Sequence, residues 1–225
     1  TLSGAVSNQG GLELNRTGSG AFTYTGAGTY SSITHSSNAS AWTFPSGNIT
    51  VPAAGSTIRS TATSALSISS AISGTGLLSL DADATGVVTL SGAITTSGSI
   101  INAGTGALTV GTFYTTAATG SSAVVLKSSL GTSVSRVIQD SAYSPLVIYA
   151  SNTSLNAPFE IRQGALVVSS TSSLSKQLGN GSILLGTGSA DAALVTAGRY
   201  ANSPVLAGSD ITLANPVTVG GAGKN

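Results

Sequence analysis

Large aliphatic side chains recur along this chain as short alternating triplets: Leu12-Glu13-Leu14, Leu66-Ser67-Ile68, Leu78-Ser79-Leu80, Val88-Thr89-Leu90 and Leu108-Thr109-Val110. Period-two alternation puts every second side chain on one face of an extended backbone, so it predicts strands of about three to five residues. Gly-Thr-Gly, Thr-Ser-Gly and Asn-Gly clusters separate the triplets, at positions where the backbone must turn through conformations that Gly and Asn adopt cheaply. Helix-period stretches are hard to find.

The triplets also repeat in a fixed register. Gly74-Thr-Gly-Leu-Leu-Ser-Leu80 reappears as Ala84-Thr-Gly-Val-Val-Thr-Leu90 and again as Gly104-Thr-Gly-Ala-Leu-Thr-Val110. Leu66-Ser-Ile-Ser-Ser-Ala-Ile72 recurs without a gap as Val88-Thr-Leu-Ser-Gly-Ala-Ile94. Leu2-Ser-Gly-Ala-Val6 matches the end of the same phrase, Ile68 to Ile72, at three times that spacing, which sets Leu12 and Leu14 on Leu78 and Leu80. A repeat of roughly 20 residues carrying two or three strands predicts a solenoid, in which each coil stacks on the last and buries a shared aliphatic column. The expected fold is an all-β parallel β-helix of roughly ten irregular coils, about 50 Å long at the spacing of adjacent strands. A β-sandwich or jelly roll is the alternative, since its short strands are punctuated by turns just as often. In the solenoid Leu66, Ile68, Leu78, Leu80, Val88, Leu90, Leu108, Val110, Leu166, Val168, Ile183, Leu185, Ile211 and Leu213 point inward, with Ser and Thr outside.

Two stretches break the rhythm, and irregular insertions are expected at about 16–60 and 112–145 within a single segment spanning 1–225. Phe22, Tyr24, Tyr30, His35, Trp42 and Phe44 crowd the first, and Phe113, Tyr114 and Tyr143 the second. A local packing cluster is the favoured reading of these rings.

Composition narrows the function. The chain has 39 Ser, 29 Thr and 29 Gly but only 7% charged residues, far from an ordinary cytosolic enzyme. A hydrophobic fraction of 40% is too high for a disordered chain. Eight scattered basic residues and a net charge of +1 give no footprint for nucleic acid or anionic lipid. Ser, Thr or Gly interrupts every apolar run, so no membrane insertion of this segment is expected. With no Cys there is neither a disulfide nor a thiolate. The opening at Thr1, without a leader, reads as a piece of a longer or processed chain.

Four phrases resemble the autotransporter-associated β-strand repeat: Leu146-Val-Ile-Tyr-Ala-Ser-Asn-Thr-Ser154, Phe159-Glu-Ile-Arg-Gln-Gly-Ala-Leu-Val-Val168, Leu178-Gly-Asn-Gly-Ser-Ile-Leu-Leu-Gly186 and Ile211-Thr-Leu-Ala-Asn-Pro-Val-Thr-Val-Gly220. The likeness departs from the repeat at Leu155-Asn-Ala-Pro158, where its second glycine turn is missing, and over residues 16–60. The resemblance implies a right-handed β-helix in the passenger region of a secreted or surface-displayed bacterial protein, acting as stalk, adhesin or matrix fibre.

Candidate chemistry is sparse. His35 lies among serines in Ser31-Ser-Ile-Thr-His-Ser-Ser-Asn38, but neither a Gly-x-Ser-x-Gly elbow nor a nearby carboxylate accompanies it. It reads as an exposed or locally hydrogen-bonded turn histidine. Asp81 and Asp83 share one strand face, the geometry of a cation site or an acid and base pair, yet two carboxylates alone hold calcium poorly. They read as a solvated turn. Sequons at Asn15, Asn38, Asn48, Asn152 and Asn180 mark turns hydrophilic enough to be exposed. The expectation is an extracellular structural or adhesive protein with no catalytic residue, metal or cofactor. Its expected partners are further copies of itself, stacked head to tail through uncapped ends, and surface glycans. A carbohydrate-binding or carbohydrate-cleaving β-helix is the alternative.

Overall fold

The computed structural model describes residues 10–106, 122–169, 176–188, 191–197 and 213–220. The first turn of chain consists of β1 (Gly11–Leu14), β2 (Phe22–Thr23) and β3 (Gly28–Thr29), and the second of β4 (Ser32–His35), β5 (Trp42–Phe44) and β6 (Asn48–Val51). The third is β7 (Ser56–Ser60), β8 (Leu66–Ile68) and β9 (Ala71–Gly74). Then follow β10 (Leu78–Ala82), β11 (Val87–Leu90), β12 (Ser99–Asn102), β13 (Ala123–Leu126), β14 (Arg136–Asp140) and β15 (Leu146–Ile148). The last are β16 (Phe159–Ser169), β17 (Ile183–Leu185), β18 (Ala192–Ala197) and β19 (Val217–Val219). Among the described residues there is no helix, and every strand pairing is parallel.

Each strand pairs with its counterpart one turn away, so the molecule is a β-solenoid of about seven turns rather than a sandwich. One ladder runs β1-β4-β7-β10-β12-β14-β16, a second runs β2-β5-β8-β11-β13-β15-β16, and a shorter third joins β3, β6 and β9. Isolated bridges Ile72–Ile94 and Ile94–Leu130 extend the third. The repeat seen in the sequence is this stacking: Leu66 pairs with Val88, Ile68 with Leu90 and Ile72 with Ile94.

The longer-range match of Leu2–Leu14 with Ile68–Leu80 is displaced by two positions. Leu12 pairs with Ile33, Ile33 with Ile58 and Ile58 with Leu80, so Leu12 stands in the column of Leu80 rather than Leu78. The turn from Ile33 to Ile58 is longer than the turns on either side of it. Corners of unequal length absorb the difference, and because the displacement is even, inward residues stay inward.

Residues 16–60, expected as an irregular insertion, carry β2 to β7 in register with the neighbouring turns. The ring side chains there form a packing cluster: Tyr24, Tyr30 and Phe44 are fully buried, the Phe22 and Trp42 rings lie 5.0 Å apart, and Tyr24 meets Phe44 edge-on at 5.2 Å. Of the second expected insertion, 112–145, residues 123–126 and 136–140 are ladder strands, and the part before Ser122 lies outside the described residues, as do Phe113 and Tyr114. The long register step from Ser99 to Arg136 shows where extra chain enters this turn.

Inward positions are as the pattern placed them. Leu66, Ile68, Leu78, Leu80, Val88, Leu90, Leu166, Val168 and Ile183 are buried in one continuous core, with Leu185 and Leu213 partly buried against it. Leu108, Val110 and Ile211 lie outside the described residues. The outward positions depart from the expectation in the second ladder. Ala123, Val125, Val147, Ala165 and Val167 form a separate buried cluster on the face opposite the core, so β13, β15 and the second-ladder part of β16 are apolar on both faces.

Corners are built from close backbone approach. A Cβ on Gly76 would sit 1.9 Å from the Pro52 carbonyl oxygen of the previous turn, so only glycine fits. Gly164 marks the bend at which β16 leaves the first ladder for the second. Its φ is +70°, and a Cβ there would sit 1.9 Å from the Ser141 oxygen.

Candidate functional site

His35 ends β4 with its side chain turned inward, in the column that runs from Leu14 through His35 and Ser60 to Ala82. It is completely buried at a strand end rather than exposed on a turn, while the local hydrogen bonding that was the other half of the expectation is present. Its Nε2 lies 3.1 Å from the Ser40 carbonyl oxygen, which can only accept, so Nε2 carries the proton. Nδ1 then accepts from the Ser60 hydroxyl at 3.1 Å. Ser64 Oγ lies 3.3 Å from Nε2 and donates to the Ser40 oxygen at 2.8 Å, while Ser37 and Ser40 reach back to carbonyls of Arg16 and Gly18. Burial lowers the histidine pKa, against an opposing pull from the carbonyls of Ser40 and Ser37. The arrangement is a neutral imidazole that ties three successive turns together. Ser60 is fully buried, so the Ser–His contact gives a substrate no approach to its hydroxyl.

Asp81 lies on the outward face of β10 and Asp83 one residue past the strand, and neither is a solvated turn carboxylate. Asp83 forms an ion pair with Arg59, and its Oδ1 accepts from the Thr105 amide at 2.6 Å and hydroxyl at 3.0 Å. Burial alone would raise its pKa, but the Thr105 and Arg59 bonds outweigh that and lower it. Asp81 accepts from the Ser79 hydroxyl at 2.9 Å, and burial, helped by the neighbouring Asp83 charge, raises its pKa. The two carboxylates are pushed apart in pKa, as in an acid and base pair. Asp83, however, spends its oxygens on Arg59 and Thr105.

A second polar group stands on the outward face of the first ladder. Glu160 accepts from Arg136 at 3.2 Å, from Arg162 at 3.0 Å and from the Thr187 hydroxyl at 3.1 Å, and Arg162 reaches Asp140 at 3.1 Å. These donors overcome the burial of Glu160 and lower its pKa. The cluster joins three turns by charge where the core joins them by apolar contact. Among the described residues no group of three His, Asp or Glu could hold a metal ion.

Sequence patterning missed the buried amides. Asn102 and Gln139 occupy the same inward column, between Leu80 and Ile161. Asn102 donates to Gln139 Oε1 at 2.8 Å and to the Ser144 carbonyl at 2.6 Å, and Gln139 donates to the Ser141 and Ser144 carbonyls at 2.7 and 3.0 Å. Asn152, one of the sequons, is 2% exposed: it accepts from the Leu130 amide at 2.7 Å and donates to the carbonyls of Ala150 and Gln177, bridging three turns. The sequon asparagines 15, 38, 48 and 180 are exposed. The one available signal was the Asn-Thr of Leu146 to Ser154, which marks a corner but not the direction of the side chain.

Comparison of the chain with protein-family models, curated proteins and solved structures returns no match.

Proposed function

We propose that the chain is a structural segment of an extracellular bacterial surface protein, a right-handed β-helical stalk or fibre unit rather than an enzyme. The carrying observation is the parallel ladder that connects β1 to β19, in which the histidine and the acidic clusters serve to join turns. Such a ladder transmits load along its axis through backbone hydrogen bonds and a continuous apolar core. The four phrases that resemble the autotransporter-associated repeat agree with this reading, since their strands β15, β16, β17 and β19 fall in successive turns. Neighbouring copies and surface glycans are the partners such a segment meets.

The test is immunogold labelling of the producing cells with antibody raised against this chain, together with incubation of the purified chain with a polysaccharide panel. Label on the outer surface or on extracellular fibres, with the polysaccharides intact, is expected. Cytoplasmic label, or cleavage of any polysaccharide, overturns the proposal.

A further inference from the structure

In the corner that leads into β17, Lys176 has φ +65° and is the single non-glycine in the left-handed region among the described residues. Such a backbone costs energy in any residue with a Cβ and persists only where surrounding contacts hold it. They do here: the Lys176 carbonyl accepts from the amides of Asn152 and Gly179, both at 3.0 Å. Held in that way, Lys176 donates from Nζ to Asn180 Oδ1 at 3.3 Å, while Asn180 Nδ2 donates to the Thr153 carbonyl oxygen at 2.9 Å. Both ends of the side-chain amide are therefore engaged. The residue that follows is Gly181, and Asn180-Gly181 is the one Asn-Gly step in the chain. Gly181 is buried, and its N–H donates to no acceptor among the described residues. A buried N–H without a partner is costly, and a reaction that consumes its proton removes that cost.

We propose that Asn180 is a self-modification site, deamidated by the amide of Gly181 with the help of Lys176. The Gly181 nitrogen gives its proton to hydroxide and bonds to Asn180 Cγ, the Cγ–Nδ2 bond breaks, and ammonia leaves after taking a proton from water. One water molecule then opens the five-membered imide at either carbonyl, to aspartate or isoaspartate. Glycine suits the attack because a side chain at this position would crowd the nitrogen. The Lys176 ammonium stands where negative charge develops on Oδ1 in the tetrahedral step, as an oxyanion donor does. Of the other exposed sequon asparagines, at 15, 38 and 48, none is followed by glycine. The consequence is a slow release of one tie between turns. An oxygen in the place of Nδ2 no longer donates to Thr153, and isoaspartate adds a backbone methylene beside Gly181, where an added Cβ already meets the Ala157 oxygen. Each event also lowers the net charge, from +1 to zero. The proposal stands on this corner alone, whether or not the chain serves as a stalk.

The experiment is timed incubation of residues 1–225 in mildly alkaline buffer, followed by peptide mapping with mass spectrometry and enzymatic detection of isoaspartate. Lys176→Met, which keeps the stem without the charge, and Lys176→Arg, which keeps a charged donor, are followed beside the unaltered chain, folded and in urea. In the folded chain Asn180 should become a mixture of aspartate and isoaspartate while Asn15, Asn38 and Asn48 keep their amides. Lys176→Met should slow the reaction several-fold, and Lys176→Arg should restore most of the rate. In urea all three chains should react alike, because the corner no longer holds Lys176 against Asn180. Circular dichroism checks that the variants fold, and Lys176→Gly, which is at ease at φ +65°, gives the same comparison should Lys176→Met lose the sheet. An Asn180 that keeps its amide, a folded Lys176→Met that reacts as fast as the unaltered chain, or a difference that persists in urea would each overturn the proposal.

Discussion

A histidine in an inward column, between Leu14 and Ser60, makes this molecule sensitive to acid at one residue. His35 is the chain's single histidine, and its folded pKa lies below the ordinary 6.5 because burial disfavours the imidazolium. The unfolded chain therefore binds the proton more readily, and stability is full above pH 6.5 and falls as the pH drops from there toward the folded pKa. Urea unfolding at a series of pH values should show this slope as the pH falls below about 6.5, and His35→Gln should flatten it. Asp81 works with the opposite sign: its raised pKa adds stability at low pH that is lost as the pH rises through the folded value. An unchanged slope in His35→Gln would show that the proton goes elsewhere. That these polar residues face inward was not legible in the sequence. Period-two reading assigns a face by hydrophobicity, so it offers no inward place to polar residues such as His35, Asn102 and Gln139. Only the pairing of their neighbours, Ile33 with Ile58 and Ile100 with Val137, fixes their direction.

At the scale of the element, strands were legible and corners were not. The triplets Leu66–Ile68 and Leu78–Leu80 are strand segments because alternating branched side chains pack one face of a pleated ladder. The apolar run Ala123 to Leu126 does not alternate, because that strand is buried on both faces, a condition under which periodicity carries no facing information. Corners vary in length, and the Leu12 displacement by two follows from that variation. What a corner does fix is its glycine. Gly164→Ala must hold an L-residue at φ +70° and push a methyl group into the Ser141 oxygen of the preceding turn. The left-handed backbone alone costs about 1 to 2 kcal/mol, and relief of the clash must move β16 off one of its two ladders. Chemical denaturation should therefore show Gly164→Ala destabilised by more than that figure. A Gly164→Asn variant, whose residue type tolerates φ +70° while carrying the same Cβ, separates the clash from backbone strain. Full stability in Gly164→Asn would refute the role assigned to the Ser141 contact.

Over the whole molecule, stability is distributed as in a one-dimensional stack, each turn supported by the one before and the one after. Two kinds of coupling hold it: a core that runs through every turn, and polar ties that are local. His35 joins the second turn to the third, while Arg136, Glu160, Arg162 and Asp140 join the turns of β14 and β16. No comparable ion pair among the described residues reaches β19, whose core valines are half-exposed. The stack should therefore open from β19 inward. Native-state hydrogen exchange read by mass spectrometry should find the amides of β7, β10, β12 and β14 slowest, because each lies between two paired strands and under a filled core. The amides of β17 and β19 should exchange fastest. Ile100→Asp, which buries an unpaired carboxylate in mid-stack at a cost of several kcal/mol, should divide that gradient. Exchange would then become fast on both sides of β12 while β7 and β16 retained more protection than their neighbours toward the break. Uniform protection from β1 to β19, unaffected in pattern by Ile100→Asp, would mean that the turns unfold as a single cooperative unit and that nearest-neighbour stacking does not describe this solenoid.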